Sequence, residues 1–208
     1  DTTAAVPGAA LSGVRQHPAA SSARANALPQ PPTPTPTPQT SLATAPTPNT
    51  GYFGGGEPGT FSTMDKVTYS TDTTAVVPSA SLAGPARSRL AATGNSTAGY
   101  FGGGSSPAAS VIMDKVTYST DTTAAVPGAF LSVGRYLLSA TGNLTHGYFG
   151  GGFGPSTTSL MDKVTYSNDT TAQVPGAPLS VARFGLAASS ARANALPTTA
   201  TSPTPNIV

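Results

Sequence analysis

The chain of 208 residues has no cysteine, no tryptophan, two histidines, one glutamate and few charges of either sign. Each shortage excludes something. Without cysteine there is no disulfide framework and no thiolate metal site. His17 and His146 stand in unrelated contexts and Glu57 is alone, so no triad or metal cluster is specified. The chain therefore reads as a non-enzyme with no cofactor. Charged residues make up 9% of it, against roughly a quarter in an ordinary soluble domain. Ten cations oppose eight anions, and no cluster of cations exists to track a phosphate backbone, which argues against nucleic acid. Apolar runs are a few residues long, too short for a membrane-spanning helix. No leader segment is visible and the first residue is Asp1 rather than Met, as expected of a mature or excised piece.

Glycine (23) and proline (21) are abundant instead, among many Ala, Ser, Thr and Val. Gly and Pro are the poorest helix formers, and β-branched side chains are stiff at χ1, so this mixture predicts short strands joined by turns. The sequence also repeats itself. Gly-Tyr-Phe-Gly-Gly-Gly begins at Gly51, Gly99 and Gly147, 48 residues apart each time. Met-Asp-Lys-Val-Thr-Tyr-Ser follows from Met64, Met113 and Met161. Asp-Thr-Thr-Ala follows from Asp72, Asp121 and Asp169, and also opens the chain at Asp1. Val-Pro, Leu-Ser and an Arg (Arg15, Arg135, Arg183) usually come next.

Each unit is expected to hold four short strands. The first follows the Arg, as at residues 136–140. The second is the glycine motif, the third Asp-Lys-Val-Thr-Tyr-Ser, and the fourth Thr-Thr-Ala-x-Val-Pro. The third alternates, with Val67 and Tyr69 on one face and Lys66 and Thr68 on the other. Thr-Gly-Asn before the glycine motif signals a hairpin. Three consecutive glycines call for unusual backbone angles or a very close neighbour.

Arg, small apolar strand, hairpin, Tyr-Phe-Gly-Gly and an Asp-x-Val-x-Tyr strand, in that order, resemble a kelch repeat over residues 51–175. The third Gly is extra and no Trp stands in the fourth strand. The Tyr-Phe-Gly-Gly-Gly and Leu-Ala-Ala-Thr-Gly-Asn motifs are also similar to tandem-repeat proteins of cyanobacteria and their phages. The resemblance implies an all-β fold of four-stranded antiparallel repeats of about 48 residues, kelch-like β-propeller blades that are open or completed by another subunit.

The windows read from the sequence are a partial repeat (1–29), a Pro/Thr-rich loop or linker (30–50), three repeats (51–98, 99–146, 147–197) and a Pro/Thr-rich tail (198–208). Too few units are present to close a ring, and incomplete blades leave open edges that seek partners. Residues 19–29 recur identically at 187–197, an offset of 168 that also separates Asp1 from Asp169. That higher-order repeat suits an array or a head-to-tail assembly.

Asp before Thr-Thr is expected to close a turn on its own backbone, and Asp before Lys to be a strand-end charge that blunts an edge. Tyr52, Tyr100 and Tyr148 are candidates to stack on a ligand such as a sugar, though packing between repeats is the plainer role. Asn95, Asn143 and Asn168 sit in Asn-x-Ser/Thr sequons, and Thr33, Thr35 and Thr37 lie in a Pro/Thr tract of the kind that carries O-glycans. The expected function is that of an extracellular structural or adhesive subunit at a cell or virion surface, associating with itself as a homo-oligomer or filament. The rival is a carbohydrate-binding, lectin-like module with glycans as partners.

Overall fold

The computed structural model describes residues 19–22 and 49–190. Among them every regular element is a strand, apart from one short 3-10 turn at Pro127–Ala129. The first sheet holds β1 (Ala19–Ser22), β2 (Thr50–Gly54), β3 (Met64–Thr68) and β4 (Thr73–Val76). The second holds β5 (Ala91–Gly94), β6 (Ala98–Gly102), β7 (Met113–Thr117) and β8 (Thr122–Ala125). The third holds β9 (Ser139–Gly142), β10 (His146–Gly150), β11 (Met161–Thr165) and β12 (Thr170–Gln173). Each sheet is an antiparallel meander of four neighbouring strands. The all-β, antiparallel expectation holds, and the sheets are successive along the chain.

Register repeats with the sequence. In the second sheet Phe101 faces Asp114, which faces Ala125, while Tyr100 faces Lys115, which faces Ala124. The third sheet pairs Phe149 with Asp162 and Tyr148 with Lys163 in the same way. Because side chains alternate along a strand, Tyr and Lys lie on one face of each sheet, and Phe, Asp, Val and the following Tyr on the other. The first face meets the next sheet in the chain, and the second meets the preceding one. One core cluster thus joins Tyr52 and Met64 of the first sheet to Phe101, Val116 and Tyr118 of the second. The other joins Tyr100 and Met113 to Phe149, Val164 and Tyr166. The hydrophobic core lies between sheets, where these rings bury much of the apolar area available. The first strands β1, β5 and β9 also lie against one another.

Two expectations shift. The strand expected at residues 136–140 starts later, at Ser139. Residues 136 and 137 serve a different purpose: Tyr136 bridges to Phe153, and the Leu137 N–H donates to the Arg89 carbonyl at 2.9 Å. One unit later the Gly185 N–H donates to the Leu137 carbonyl at 2.8 Å, so these residues form rungs from one unit to the next. Each sheet also starts on the strand before the glycine motif, and therefore crosses at least one boundary between the sequence windows. Residues 95–97 and 143–145 connect the first two strands of the second and third sheets, whereas residues 23–49 connect β1 to β2. The Pro/Thr tract with Thr33, Thr35 and Thr37, His17, and the tail after residue 190 lie outside the described residues.

Candidate functional site

The chemistry-bearing side chains gather at the boundaries between sheets, and each boundary carries two charged sites. At the first boundary the Lys66 ammonium contacts both carboxylate oxygens of Asp121, at 2.9 and 2.8 Å, and the Tyr52 hydroxyl donates to the same carboxylate. The Tyr52 ring stacks on Tyr118, with centroids 5.2 Å apart. The second boundary repeats this side chain for side chain. Lys115 contacts Asp169 at 2.9 and 2.8 Å, the Tyr100 hydroxyl donates to Asp169, and Tyr100 stacks on Tyr166 at 4.9 Å. Each Asp stands just before the fourth strand with positive φ (53° at Asp121, 54° at Asp169), a conformation that Asp tolerates better than most residues. These carboxylates reach across to the preceding sheet, which corrects the expectation that they close turns on their own backbone. The turn is real, but it aims the side chain outward.

The second site is buried. Arg87, in the loop before β5, pairs with Asp114 on β7, and both side chains are essentially inaccessible. Its Nε–H also donates to the Gly103 carbonyl at 2.9 Å. Arg135 pairs with Asp162 at 2.6 Å and donates to the carbonyls of Phe149 and Leu160, each at 3.3 Å. Asp114 also accepts from the Ala83 N–H, and Asp162 from that of Ser132. Asp65, Asp114 and Asp162 are all fully buried. The reading of the Asp-Lys pair as a strand-end charge is therefore overturned for Asp: alternation turns it inward, onto the face that carries Phe and Val.

Burial and the partner carboxylates push the Tyr52 and Tyr100 hydroxyls well above their ordinary range. Burial likewise pushes Tyr166 up to about 12, against a contact with Thr93. Burial also works to raise Asp121, but hydrogen bonds from Lys66 and Tyr52 outweigh it and hold the carboxyl low. At Asp114 the balance is reversed: burial outweighs Arg87 and the group is raised. Burial lowers Arg135 despite Asp162.

The triple glycine is explained here. Gly103 and Gly104 both have positive φ (73° and 95°), and a Cβ on Gly103 would stand 2.5 Å from the Arg135 carbonyl. That approach lets the Gly104 N–H donate to the same carbonyl at 2.8 Å. Gly102, still in β6, leaves room for the Phe149 ring of the next sheet, 2.9 Å from where a Cβ would be.

Other candidate residues fall as follows. The rings of Tyr52 and Tyr100 are buried at sheet boundaries, and Tyr148 is half-buried. Asn95 caps its hairpin through Oδ1, which accepts from Thr97 and Ala98, and its Nδ2 donates to the Leu144 carbonyl at 3.4 Å. Asn143 and Asn168 are exposed, with Oδ1 accepting from Thr145 and Thr170 respectively. A groove lined by Asn95, Thr97, Leu144, Thr145, His146 and Tyr166 runs between the hairpins of the second and third sheets. Among the described residues no three His, Cys, Asp or Glu side chains gather, and no helix is long and apolar enough to cross a membrane.

The residues that sequence reasoning missed are Arg87 and the buried role of Asp114 and Asp162. A signal for them existed. In a chain so poor in charge, an Arg precedes an Asp by the same interval in two successive units.

No protein-family model matches the chain, and no curated protein matches it.

Proposed function

We propose that the protein is a non-enzymatic structural or adhesive repeat protein that works by stacking its units, at a cell or virion surface. The observation that carries this reading is the identity of the two sheet boundaries. Chemistry that elsewhere would serve a ligand is used between units: the Tyr hydroxyls, the Lys ammoniums and the Asp carboxylates are spent on one another. A unit whose two faces complement each other extends by addition of further units, as in solenoids and filaments. The contact of β1, β5 and β9 at one side of the stack also suits kelch-like blades arranged about an axis, with each sheet as one blade. The exposed Asn143 and Asn168 and the Pro/Thr tract suit a glycosylated outer surface.

The test is native electron microscopy with sedimentation of the intact chain. Filaments or closed oligomers are the expected result; discrete monomers at all concentrations would overturn the assembly reading. Intact-mass measurement of protein from its natural source checks the glycans, and the bare polypeptide mass alone removes that part.

A further inference from the structure

The two internal boundaries define which side chains each face contributes, and on the outermost faces of the described sheets several of the same side chains are left more exposed or without an ion pair among the described residues. On the rear face of the first sheet, Tyr69 is 38% exposed, whereas its counterparts Tyr118 and Tyr166 are 5% and 7% exposed. Val67 and Phe53 are half-exposed there, while Val116, Val164, Phe101 and Phe149 are fully buried. Asp72 has the left-handed turn of Asp121 and Asp169, with φ 51°, and stands exposed without an ion pair among the described residues. On the front face of the third sheet, Tyr148 is half-exposed where Tyr52 and Tyr100 are buried, and Lys163 has no carboxylate partner among the described residues. One face lacks what the other offers.

The connection after β12 adds a second observation. The Arg183 carbonyl accepts from the Gly152 N–H at 2.9 Å, as Arg135 does from Gly104, yet its side chain is exposed, where Arg87 and Arg135 are buried on an Asp. Beyond it, residues 187–190 lie against β9: the Thr141 hydroxyl donates to the Ser189 carbonyl at 3.0 Å, and the Ser190 hydroxyl to the Gly142 carbonyl at 2.6 Å. They sit as the first strand of a further sheet would, and no second strand pairs with them among the described residues. Their sequence, Ala-Ala-Ser-Ser, is that of β1, which pairs with β2 in the register Ala19 to Gly54 through Ser22 to Gly51.

Resting on the assembly reading above, we infer that a second copy of this chain docks its first sheet onto the third sheet, head to tail, with strand exchange. Residues 187–190 of one copy take the place of Ala19–Ser22 beside the β2 of the next. Asp72 of the incoming copy then meets Lys163 and Tyr148, as Asp121 meets Lys66 and Tyr52. Its Tyr69 stacks on Tyr148, and its Phe53 covers Gly150 as Phe149 covers Gly102. Identical sequence makes the exchanged strand equivalent to the native one, which is the condition for a low-cost swap. Repetition of the contact gives a filament, because each copy keeps one free face of each kind.

Charge reversal at the two ends tests this, since neither residue holds an ion pair among the described residues and reversal breaks none there. Asp72→Lys and Lys163→Glu are made separately, and circular dichroism checks that each retains its strands. Alone, each variant brings like charges together at the junction and is expected to associate at least about tenfold more weakly than the parent in analytical ultracentrifugation. Mixed in equal amounts they should associate again. At one junction the reversed charge at position 72 of the first variant meets the reversed charge at position 163 of the second. At the next junction the unaltered Asp72 and Lys163 meet. If the parent assembles and the separate variants assemble equally well, this interface is wrong while the assembly reading stands. If the mixture fails to recover association lost in both variants, the pairing is wrong. A parent chain that remains monomeric at every concentration sinks both.

Discussion

Each sheet boundary contains two ion pairs of the same formal type, and they are built differently. Arg87–Asp114 and Arg135–Asp162 are shut away from water, with side-chain exposures of 1% or less. Lys66–Asp121 and Lys115–Asp169 keep between a quarter and a third of their side-chain surface in solvent. The buried pairs are also imperfectly satisfied: one guanidinium nitrogen on each Arg and one oxygen of Asp162 have no hydrogen-bond partner among the described residues. Taking both charges out of water costs several kcal/mol per ion, so a pair of this kind is weak evidence for stability and better evidence for a fixed arrangement. The Arg holds the connecting loop and the strand together in one geometry. The half-exposed pairs have the opposite character. Their desolvation cost is smaller, their Coulomb gain is screened, and they are easily made or broken. A device that must join units reversibly is better built from the second kind than the first.

Breaking one member of a buried pair is therefore the largest effect to expect. Arg135→Met leaves Asp162 buried without its counter-charge and should cost about 3–5 kcal/mol by chemical denaturation. Combining it with Asp162→Leu should recover most of that loss, since an apolar pair of similar volume removes the orphaned charge. A single variant that costs less than about 1 kcal/mol would mean that water reaches the site after all.

Next comes the hydroxyl that shares a carboxylate with the half-exposed pair. Tyr100→Phe keeps the ring stacked on Tyr166 and removes the hydrogen bond to Asp169. The expected loss is about 1 kcal/mol. Lys115→Met, which keeps most of the aliphatic stem over the Tyr100 ring, should cost less than about 1 kcal/mol and lose its effect in high salt. If Lys115→Met proved as damaging as Arg135→Met, the contrast between the two sites would collapse.

The sequence displayed the period, the strand count and the alternation of Val67 against Lys66, because all three are local or periodic properties of the chain. It did not display what the Asp residues contact. Asp121 and its partner Lys66 are 55 residues apart, and a lone Asp before Thr-Thr carries a turn signal that is fully explained without a distant partner. Asp114 next to Lys115 looks like a solvated pair until strand alternation places the two on opposite faces. The exact start of the first strand was also hidden, since Leu137 adopts a φ of 53°, a conformation unusual for Leu and unannounced by its residue type. The triple glycine was legible as a demand for odd angles or close approach, and residues 103 and 104 meet both demands at once.

The smallest effect is the acid response, where the two sites oppose each other. Asp121 is held low by Lys66 and Tyr52 against its partial burial. Its contribution is present above the unfolded value of about 3.9 and is lost as pH falls through the lower folded value. Asp114 is raised by burial despite Arg87, so its folded form binds a proton more readily than the unfolded chain does. Stability from that group falls as pH rises from about 3.9 to the folded value, and is regained on acidification through the same interval. The two slopes act on adjoining ranges of pH and leave the parent with a maximum near about 3.9. Asp121→Asn removes the first and keeps the second. Its denaturation midpoint should therefore rise as the pH is lowered toward about 4, without the decline that follows in the parent. If both proteins lose stability alike on acidification, the buried Asp114 is ionised at its Arg, and the distinction between the two sites is one of exposure only.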